Sequence, residues 1–292
     1  MRIAIDPYSY HRFFGVVYPD LEQDPGWRMS VEDFIDAACS HGVSGVSIES
    51  FSVDEFSEKR LQEIRRRLDD SDLIRVWAWG PHDLGLGTEP ERLPDLLRHV
   101  DIAEALGASV MRICAGGRRT RRLPWPEHRE LLLPLLRQAA DYAADRGVTL
   151  AIENHIDLLA DELIELVETL AHPALGVCFD TANNLRMLED PMEVARKLAP
   201  YAKVVHLKDV TAHRGSPREF RFWPSVPLGQ GLIDLPATLR ALSDARYTGL
   251  LALEIDYLHP QYGDEESAIS KSLMYLRRVL LGTGGVSRGL RG

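Results

Sequence analysis

Residues 148–180 read VTLAIENHIDLLADELIELVETLAHPALGVCFD. The stretch opens with a short run rich in β-branched residues, continues with apolar residues spaced three and four apart, and closes with a second run of the first kind. Such short runs are typical of strands, and the three-and-four spacing is typical of an amphipathic helix. A strand, a helix and a strand in this order form the unit from which parallel sheets are built.

The same unit recurs on both sides of this stretch. Successive strand-like runs start 27 to 46 residues apart, and one strand, one helix and two loops need about 30 to 40 residues. An open doubly wound sheet has the same alternation, but no GxGxxG motif follows the first strand. The sequence therefore predicts a single (β/α)8 TIM barrel of the α/β class. Its eight strands are predicted to start near Arg2, Gly45, Leu73, Ser109, Val148, Leu175, Lys203 and Gly249.

Length and composition agree with one domain. The chain has 292 residues, of which 45% are hydrophobic and 27% charged, close to the averages for soluble globular proteins. A barrel of this kind needs roughly 250 residues. We therefore predict a barrel over residues 1–281 and, from its glycine-rich composition, a flexible C-terminal tail over residues 282–292.

Charge and cysteine usage limit the partners and the compartment. The formal net charge of −10 argues against nucleic acid as a partner, because binding to phosphate backbones depends on clustered Lys and Arg. Three scattered cysteines (Cys39, Cys114 and Cys178) are too few for a disulfide framework. The sequence has neither a secretory h-region nor an apolar run of roughly 18 residues. These features predict a cytoplasmic protein without a membrane span.

Polar residues end four successive strands. The carboxyl ends of barrel strands converge on one mouth, so a polar residue that ends an apolar strand is a candidate for chemistry. Each residue taken alone is explained as well by a helix cap or a salt bridge, but four on neighbouring strands favour a shared site. They are Glu153, Asp180, His206 and Glu254, on the fifth to eighth strands.

Three carboxylates in one partly dry mouth repel one another, and a divalent cation removes that repulsion. Oxygen ligands with a single histidine suit Mn²⁺ or Mg²⁺, while Zn²⁺, Co²⁺ and Fe²⁺ remain compatible with the ligand types. We therefore predict a divalent metal, Mn²⁺ or Mg²⁺ by preference.

The same strand ends carry a family resemblance. Four segments, ENH (153–155), DTANN (180–184), HLKD (206–209) and LEID (253–256), resemble those of the sugar phosphate isomerase/epimerase family of xylose isomerase-like TIM barrels. The resemblance covers residues 1 to about 281. It implies that Glu153, Asp180, His206 and Glu254 hold the metal, and that Glu153 and Glu254 act as acid and base on opposite faces of the substrate.

The chain departs from that family at one position. Many members carry histidine three residues after the metal-binding aspartate, where this chain has Asn183. An amide hydrogen-bonds a hydroxyl but does not shuttle a proton near neutral pH. We therefore expect Asn183 to contact substrate and no histidine-dependent step at this position.

Further residues are candidates for substrate contact. Alternation in the seventh strand puts Lys208 on the face of His206, where it holds a substrate oxygen, stabilises an enolate or pairs with a carboxylate. Glu49 ends the second strand and would orient a hydroxyl or a ligating histidine. His82 and His155 are predicted to lie at the mouth, the alternative being ordinary loop histidines.

Two long connections, after the first and seventh strands, are predicted to lie at the same mouth. In the second of them, Arg218 or Arg221 would clamp a carboxylate or phosphate, unless both are simply solvated. The arginine-rich run at residues 116–122 lacks interleaved aromatics. We interpret it as a solvated or interface loop, with anionic substrate binding as the alternative.

These observations predict an enzyme that acts on a small sugar. A ketose chelated through its carbonyl and adjacent hydroxyl has an acidified α-proton, and a nearby carboxylate moves that proton through an enediolate. The predicted reaction is isomerisation or epimerisation of a ketose or related keto-sugar derivative. The family resemblance also implies association as a dimer or tetramer.

Other functions remain open. The same enolate chemistry serves a hydro-lyase resembling inosose or 3-dehydroshikimate dehydratase, or a 3-oxo-sugar-acid decarboxylase. An apurinic endonuclease of the same superfamily would need additional metal ligands and a basic face, which the acidic charge disfavours. A non-catalytic binding barrel is the remaining alternative.

Overall fold

The computed structural model describes residues 1–79, 86–87, 89–116 and 123–282. Eight parallel strands form a closed barrel in sequence order, with β1 paired to β2 and to β8. The predicted (β/α)8 fold is confirmed. The strands are β1 (Arg2–Ile5), β2 (Gly45–Glu49), β3 (Ile74–Ala78), β4 (Val110–Ile113), β5 (Thr149–Glu153), β6 (Leu175–Asp180), β7 (Ala202–Leu207) and β8 (Leu250–Leu253).

An α-helix follows each strand and covers the outside of the barrel. Gly107 ends the third helix with a φ of 73°, a left-handed conformation that glycine adopts readily. The helices are α1 (Val31–Ser40), α2 (Glu58–Asp70), α3 (Leu93–Leu106), α4 (Trp125–Ala144), α5 (Ala160–Leu170), α6 (Pro191–Leu198), α7 (Leu235–Asp244) and α8 (Glu265–Gly282).

The C-terminal boundary stays a prediction. Helix α8 includes Gly282, the first residue of the predicted tail, and residues 283–292 lie outside the described part of the chain. In the described part, none of the helices combines the length and apolar composition needed to cross a bilayer.

The barrel interior positions the functional residues. Its lower part is filled by a cluster of mostly small apolar residues, separate from the layer between strands and helices. Side chains alternate along a strand, so the residue two positions further on points into the barrel again, closer to its mouth. This relation joins Ala151 to Glu153, Cys178 to Asp180, Val204 to His206 and Ala252 to Glu254.

The two long connections meet above that mouth. The rings of Tyr18, after β1, and Phe220, after β7, stack with centroids 4.4 Å apart. Tyr8 lies beneath them, and its hydroxyl oxygen is 2.6 Å from that of Tyr18. The predicted placement of both loops at the carboxyl ends of the strands is confirmed.

Candidate metal centre and substrate pocket

The four predicted ligands converge at the mouth. Glu153, Asp180, His206 and Glu254 are all buried, and one ligand atom from each lies within 4.8 Å of the others. Their placement follows from the strand register, because Asp180 pairs directly with His206 and Glu153 with Cys178.

The imidazole of His206 faces the carboxylates through Nδ1. This atom lies 2.5 Å from Glu254 Oε2 and 3.9 Å from Glu153 Oε1. Glu254 Oε2 and His206 Nδ1 face each other and Asp180 Oδ2 lies 3.1 Å from Lys208 Nζ, but none of the three buried atoms makes a hydrogen bond of acceptable geometry within the described residues. Buried polar atoms without well-formed hydrogen bonds are candidates for ligating an ion. The donor set of three carboxylates and one imidazole therefore fits a divalent cation.

Lys208 points into the same mouth, as predicted. Its Nζ atom lies 2.8 Å from Glu254 Oε1, 3.1 Å from Asp180 Oδ2 and 3.1 Å from Asp256 Oδ1. Burial by itself lowers the pKa of Lys208, but the carboxylates of Asp180, Asp256 and Glu254 raise it well above its usual value. The side chain therefore stays an ammonium and neutralises part of the acidic cluster.

Arg112 is a buried cation that sequence reasoning missed. It projects from β4, with Nη2 2.6 Å from Glu49 Oε1 and Nε 3.4 Å from Glu153 Oε2. Glu49, predicted to orient a hydroxyl or a histidine, thus pairs with an arginine. The signal was present, because the apolar run VMRI contains a charged residue, and side-chain alternation puts Arg112 on the opposite face from Met111 and Ile113, which pack between strands and helices.

Two aspartates complete the acidic surroundings. Asp6 directly follows β1, and its Oδ2 lies 3.7 Å from His206 Nε2. Asp256 follows Glu254 by two residues and contacts Lys208. The rule that selected the four predicted ligands also selects Asp6, because it ends the strand-like run RIAID of the sequence.

Asparagines hold the carboxylates in place. Asn183 Nδ2 donates to Glu153 Oε1 at 3.1 Å, so this amide contacts a predicted ligand. Asn154 is fully buried; its Oδ1 accepts from the Asp180 N–H at 2.6 Å, and its Nδ2 donates to the Asp180 carbonyl at 2.8 Å. Asn154 therefore fixes the end of β6 from which Asp180 projects.

A cavity of about 460 Å³ opens above these residues, within the range of about 300 to 1,000 Å³ common for small-molecule sites. Six of the predicted site residues line it, and several aromatic and charged residues from the loops enclose it. The predicted residues are Glu49, Glu153, His155, Asn183, Lys208 and Glu254; others in the lining are Tyr8, Tyr18, Arg112, Arg186, Phe220 and Asp256.

The loop arginines lie elsewhere. Arg221 Nε pairs with Glu219 Oε2 at 3.2 Å, and both side chains are exposed. The Arg218 N–H donates to Ser216 Oγ at 3.4 Å, and neither arginine is in the cavity lining. Their predicted contact with substrate stays a prediction. His82 and residues 117–122 of the arginine-rich run lie outside the described residues.

Comparison with known proteins identifies the family. The family model described as xylose isomerase-like TIM barrel matches residues 35–279. The chain belongs to this family. The resemblance inferred from the strand ends is thus confirmed.

Individual members of the xylose isomerase-like family differ in reaction. The chain is 32% identical over 203 residues to 2-epi-5-epi-valiolone 7-phosphate 2-epimerase of an Actinoplanes species, covering 68% of this chain and 71% of that protein. It is 26% identical over 186 residues to 3-oxo-isoapionate decarboxylase of Pectobacterium atrosepticum, covering 64% and 62%. The chain spans 53% and 62% of the length of the first two curated relatives that it matches.

A solved structure has the same fold. The IolI protein crystallised with a zinc atom superimposes with a TM-score of 0.75 at 16% identity, covering 99% of this chain and 100% of that one. At this identity the likeness concerns the fold alone.

Proposed function

We propose that the protein is a divalent-metal-dependent isomerase or epimerase of a ketose or related keto-sugar derivative. One observation carries the proposal: Glu153, Asp180, His206 and Glu254 are buried with ligand atoms within 4.8 Å of one another, beside a cavity of sugar size. Membership of the family and the enzymatic activities of its curated relatives support it.

These four residues would hold the metal, with Mn²⁺ or Mg²⁺ favoured by the oxygen-rich donor set. When bound, such an ion would polarise the substrate carbonyl and stabilise the negative charge that develops on its oxygen. We also propose that the metal is Mn²⁺ or Mg²⁺, that the protein forms a dimer or tetramer, and that it is cytoplasmic.

Glu153 and Glu254 would move the proton. Glu153 ends β5 and Glu254 directly follows β8, two strands that are not neighbours in the barrel. The family resemblance implies that their carboxylates act on opposite faces of the substrate. One carboxylate takes the proton from the carbon next to the carbonyl, and the electron pair passes to the carbonyl oxygen. Return of a proton to the other face of that carbon gives the epimer. Return of a proton to the former carbonyl carbon, with transfer of the adjacent hydroxyl's proton to the former carbonyl oxygen, gives the isomer.

The remaining cavity residues would position these carboxylates. Arg112 and Asn183 each contact one oxygen of Glu153, and Lys208 contacts Oε1 of Glu254. Such contacts restrict the rotation of each carboxylate, which is required for proton transfer at hydrogen-bond distance. His155, in the cavity lining, is proposed to contact a substrate hydroxyl.

A lyase is the second candidate. One relative is a decarboxylase, and the cavity lining contains three cationic side chains, those of Arg112, Arg186 and Lys208. The same deprotonated intermediate expels a β-hydroxyl in a dehydratase, and a 3-oxo acid reaches a similar enolate by losing carbon dioxide. The products distinguish the three reactions.

The test is turnover of a ketose panel by Mn²⁺-loaded protein, followed by mass spectrometry and chromatography. A new sugar of unchanged mass supports the proposal, whereas loss of water or of carbon dioxide supports the lyase. We expect Glu153→Gln and Glu254→Gln to lower the rate by about 10²- to 10⁴-fold, and the exposed Glu193→Gln to leave it unchanged. Equal rates in all three variants would contradict the assignment.

A further inference from the structure

Arg186 is a buried cavity residue for which the proposed reaction has no role. It lies in the 3₁₀ turn Asn183–Met187 after β6, and its side chain is only 4% exposed. It lines the same cavity as Glu153 and Glu254. A buried arginine in a ligand cavity requires partners for a fixed positive charge.

The contacts of Arg186 leave part of its hydrogen-bonding capacity unused. Nη2 donates to Asp256 Oδ2 at 3.3 Å, and the guanidinium carbon lies 4.7 Å from the centroid of the Phe220 ring. Nε is buried and has no hydrogen-bond partner within the described residues. Guanidinium carries five N–H donors in a planar fork that matches two oxygens of one anion.

Within the described residues, Arg186 has a single carboxylate partner. Asp256, its carboxylate partner, is shared with Lys208, whose Nζ lies 3.1 Å from Asp256 Oδ1. Arg112 differs, because it has Glu49 and Glu153 as two separate carboxylate partners. Among these two cavity arginines, Arg186 is therefore the one suited to an incoming anion.

We infer that Arg186 binds an oxyanion of the substrate, so that the enzyme acts on an anionic keto sugar, either a sugar acid or a sugar phosphate. The inference rests on the proposed function and specifies its substrate class. It transfers the predicted anion-binding role from Arg218 or Arg221 to Arg186, an arginine with a buried side chain on another loop.

Binding of three ketoses that differ only at the terminal carbon tests this inference. D-fructose, D-fructuronate and D-fructose 6-phosphate are titrated calorimetrically into Mn²⁺-loaded wild-type protein. We expect either anion to bind at least about 10-fold more tightly than D-fructose. Comparison of the affinities for D-fructuronate and D-fructose 6-phosphate shows whether the site prefers a carboxylate or a phosphate.

Variants of Arg186 test whether this residue is responsible for the preference for anionic ketoses. Arg186→Met is expected to weaken binding of the preferred anion by about 10- to 100-fold and to leave D-fructose binding within about two-fold. Arg186→Lys keeps the charge without the fork, and an intermediate loss is expected. Arg196→Met, an exposed arginine on α6, is the matched control. Thermal unfolding of each variant establishes that it is folded.

Several results would overturn the inference. These are equal affinity of the wild type for all three sugars, unchanged anion preference in Arg186→Met, or loss of that preference in Arg221→Met instead. Because affinity and turnover are separate readouts, anion preference in a protein that does not isomerise ketoses would contradict the proposed function alone. Turnover of neutral ketoses without anion preference would contradict this inference alone.

Discussion

Two buried cations, Arg112 and Lys208, each form ion pairs with a different set of acidic residues at the mouth. Arg112 contacts Glu49 and Glu153, while Lys208 contacts Asp180, Glu254 and Asp256. Breaking a buried ion pair leaves an uncompensated charge, which destabilises a protein by about 3 to 5 kcal/mol. The site therefore depends on its cations for stability as well as for chemistry.

At the residue scale, Arg112→Met is expected to lower the free energy of unfolding by about 3 to 5 kcal/mol, measured by urea denaturation without metal. The double variant Glu49→Gln/Arg112→Met should recover part of this loss, since one stranded carboxylate is removed. Arg92→Met, which breaks an exposed pair with Glu89, should change stability by about 0.5 kcal/mol or less. Similar losses for Arg92→Met and Arg112→Met would refute the role of the buried pair.

The variant Asn154→Ala tests whether the Asn154 side chain holds the end of β6. The variant leaves the N–H and the carbonyl of Asp180 without their side-chain partner, and each buried unsatisfied group costs about 1 to 3 kcal/mol. We expect a loss of about 2 to 4 kcal/mol in urea denaturation. Gln62→Ala, at an exposed position on α2, is the control. A loss no larger than that of the control would show that Asn154 does not hold this strand end.

Individual site residues differed in how well the sequence predicted them. The four strand-end residues were predictable, because strand polarity and side-chain alternation alone place them at one mouth. Arg112 was missed because it lies inside an apolar strand. The choice between Arg186 and Arg221 depends on the course of two loops, which no local pattern specifies.

At the element scale, the packing of α3 against β3 makes stability depend on pH. Burial lowers the pKa of His99 to about 4, although the nearby Asp95 carboxylate opposes the shift. Trp77 Nε1 donates to His99 Nδ1 at 3.3 Å, and the two rings stack. The neutral imidazole is therefore the form that the folded protein contains near neutral pH.

The sign of this dependence follows from proton binding. Between the ordinary histidine value of about 6.5 and the folded value, only the unfolded chain binds the proton, so stability falls as the pH falls. We expect a loss of about 2 kcal/mol from about pH 7 to about pH 4.5 that His99→Phe removes, measured by urea denaturation at both pH values. An identical pH-dependent loss in the variant would contradict this assignment.

The two long loops, after β1 and β7, contact each other at the mouth. The sequence predicts the position of both loops, but the contact between the rings of Tyr18 and Phe220 is visible only in the folded structure. Phe220→Ala removes an aromatic pair worth about 0.5 to 1.5 kcal/mol. Amide hydrogen exchange should then accelerate in residues 16–25 and 211–223 and stay unchanged in the strands.

Phe222→Ala is the matched control for the loop contact. Phe222 packs on Trp223 at 4.7 Å between ring centroids, so its removal should affect the second loop only. Unchanged exchange in residues 16–25 of Phe220→Ala would contradict coupling between the loops.

At the scale of the whole molecule, the fold was predictable from repetition. Eight similar units leave each strand with two neighbours, and closure buries the small interior residues Ala4, Ala151, Cys178 and Ala252. The metal and substrate could be predicted only as classes, because donor type restricts the ion without fixing it. The substrate depends on loop side chains at the mouth.

Glu153, Asp180, His206 and Glu254 together are proposed to bind one divalent metal ion. An anomalous difference map from crystals grown with Mn²⁺, recorded at the manganese edge, would locate such an ion. We predict one strong peak in the mouth, within about 2.0 to 2.6 Å of ligand atoms from Glu153, Asp180, His206 and Glu254. A peak elsewhere, or a map without a peak at these residues, would contradict the account.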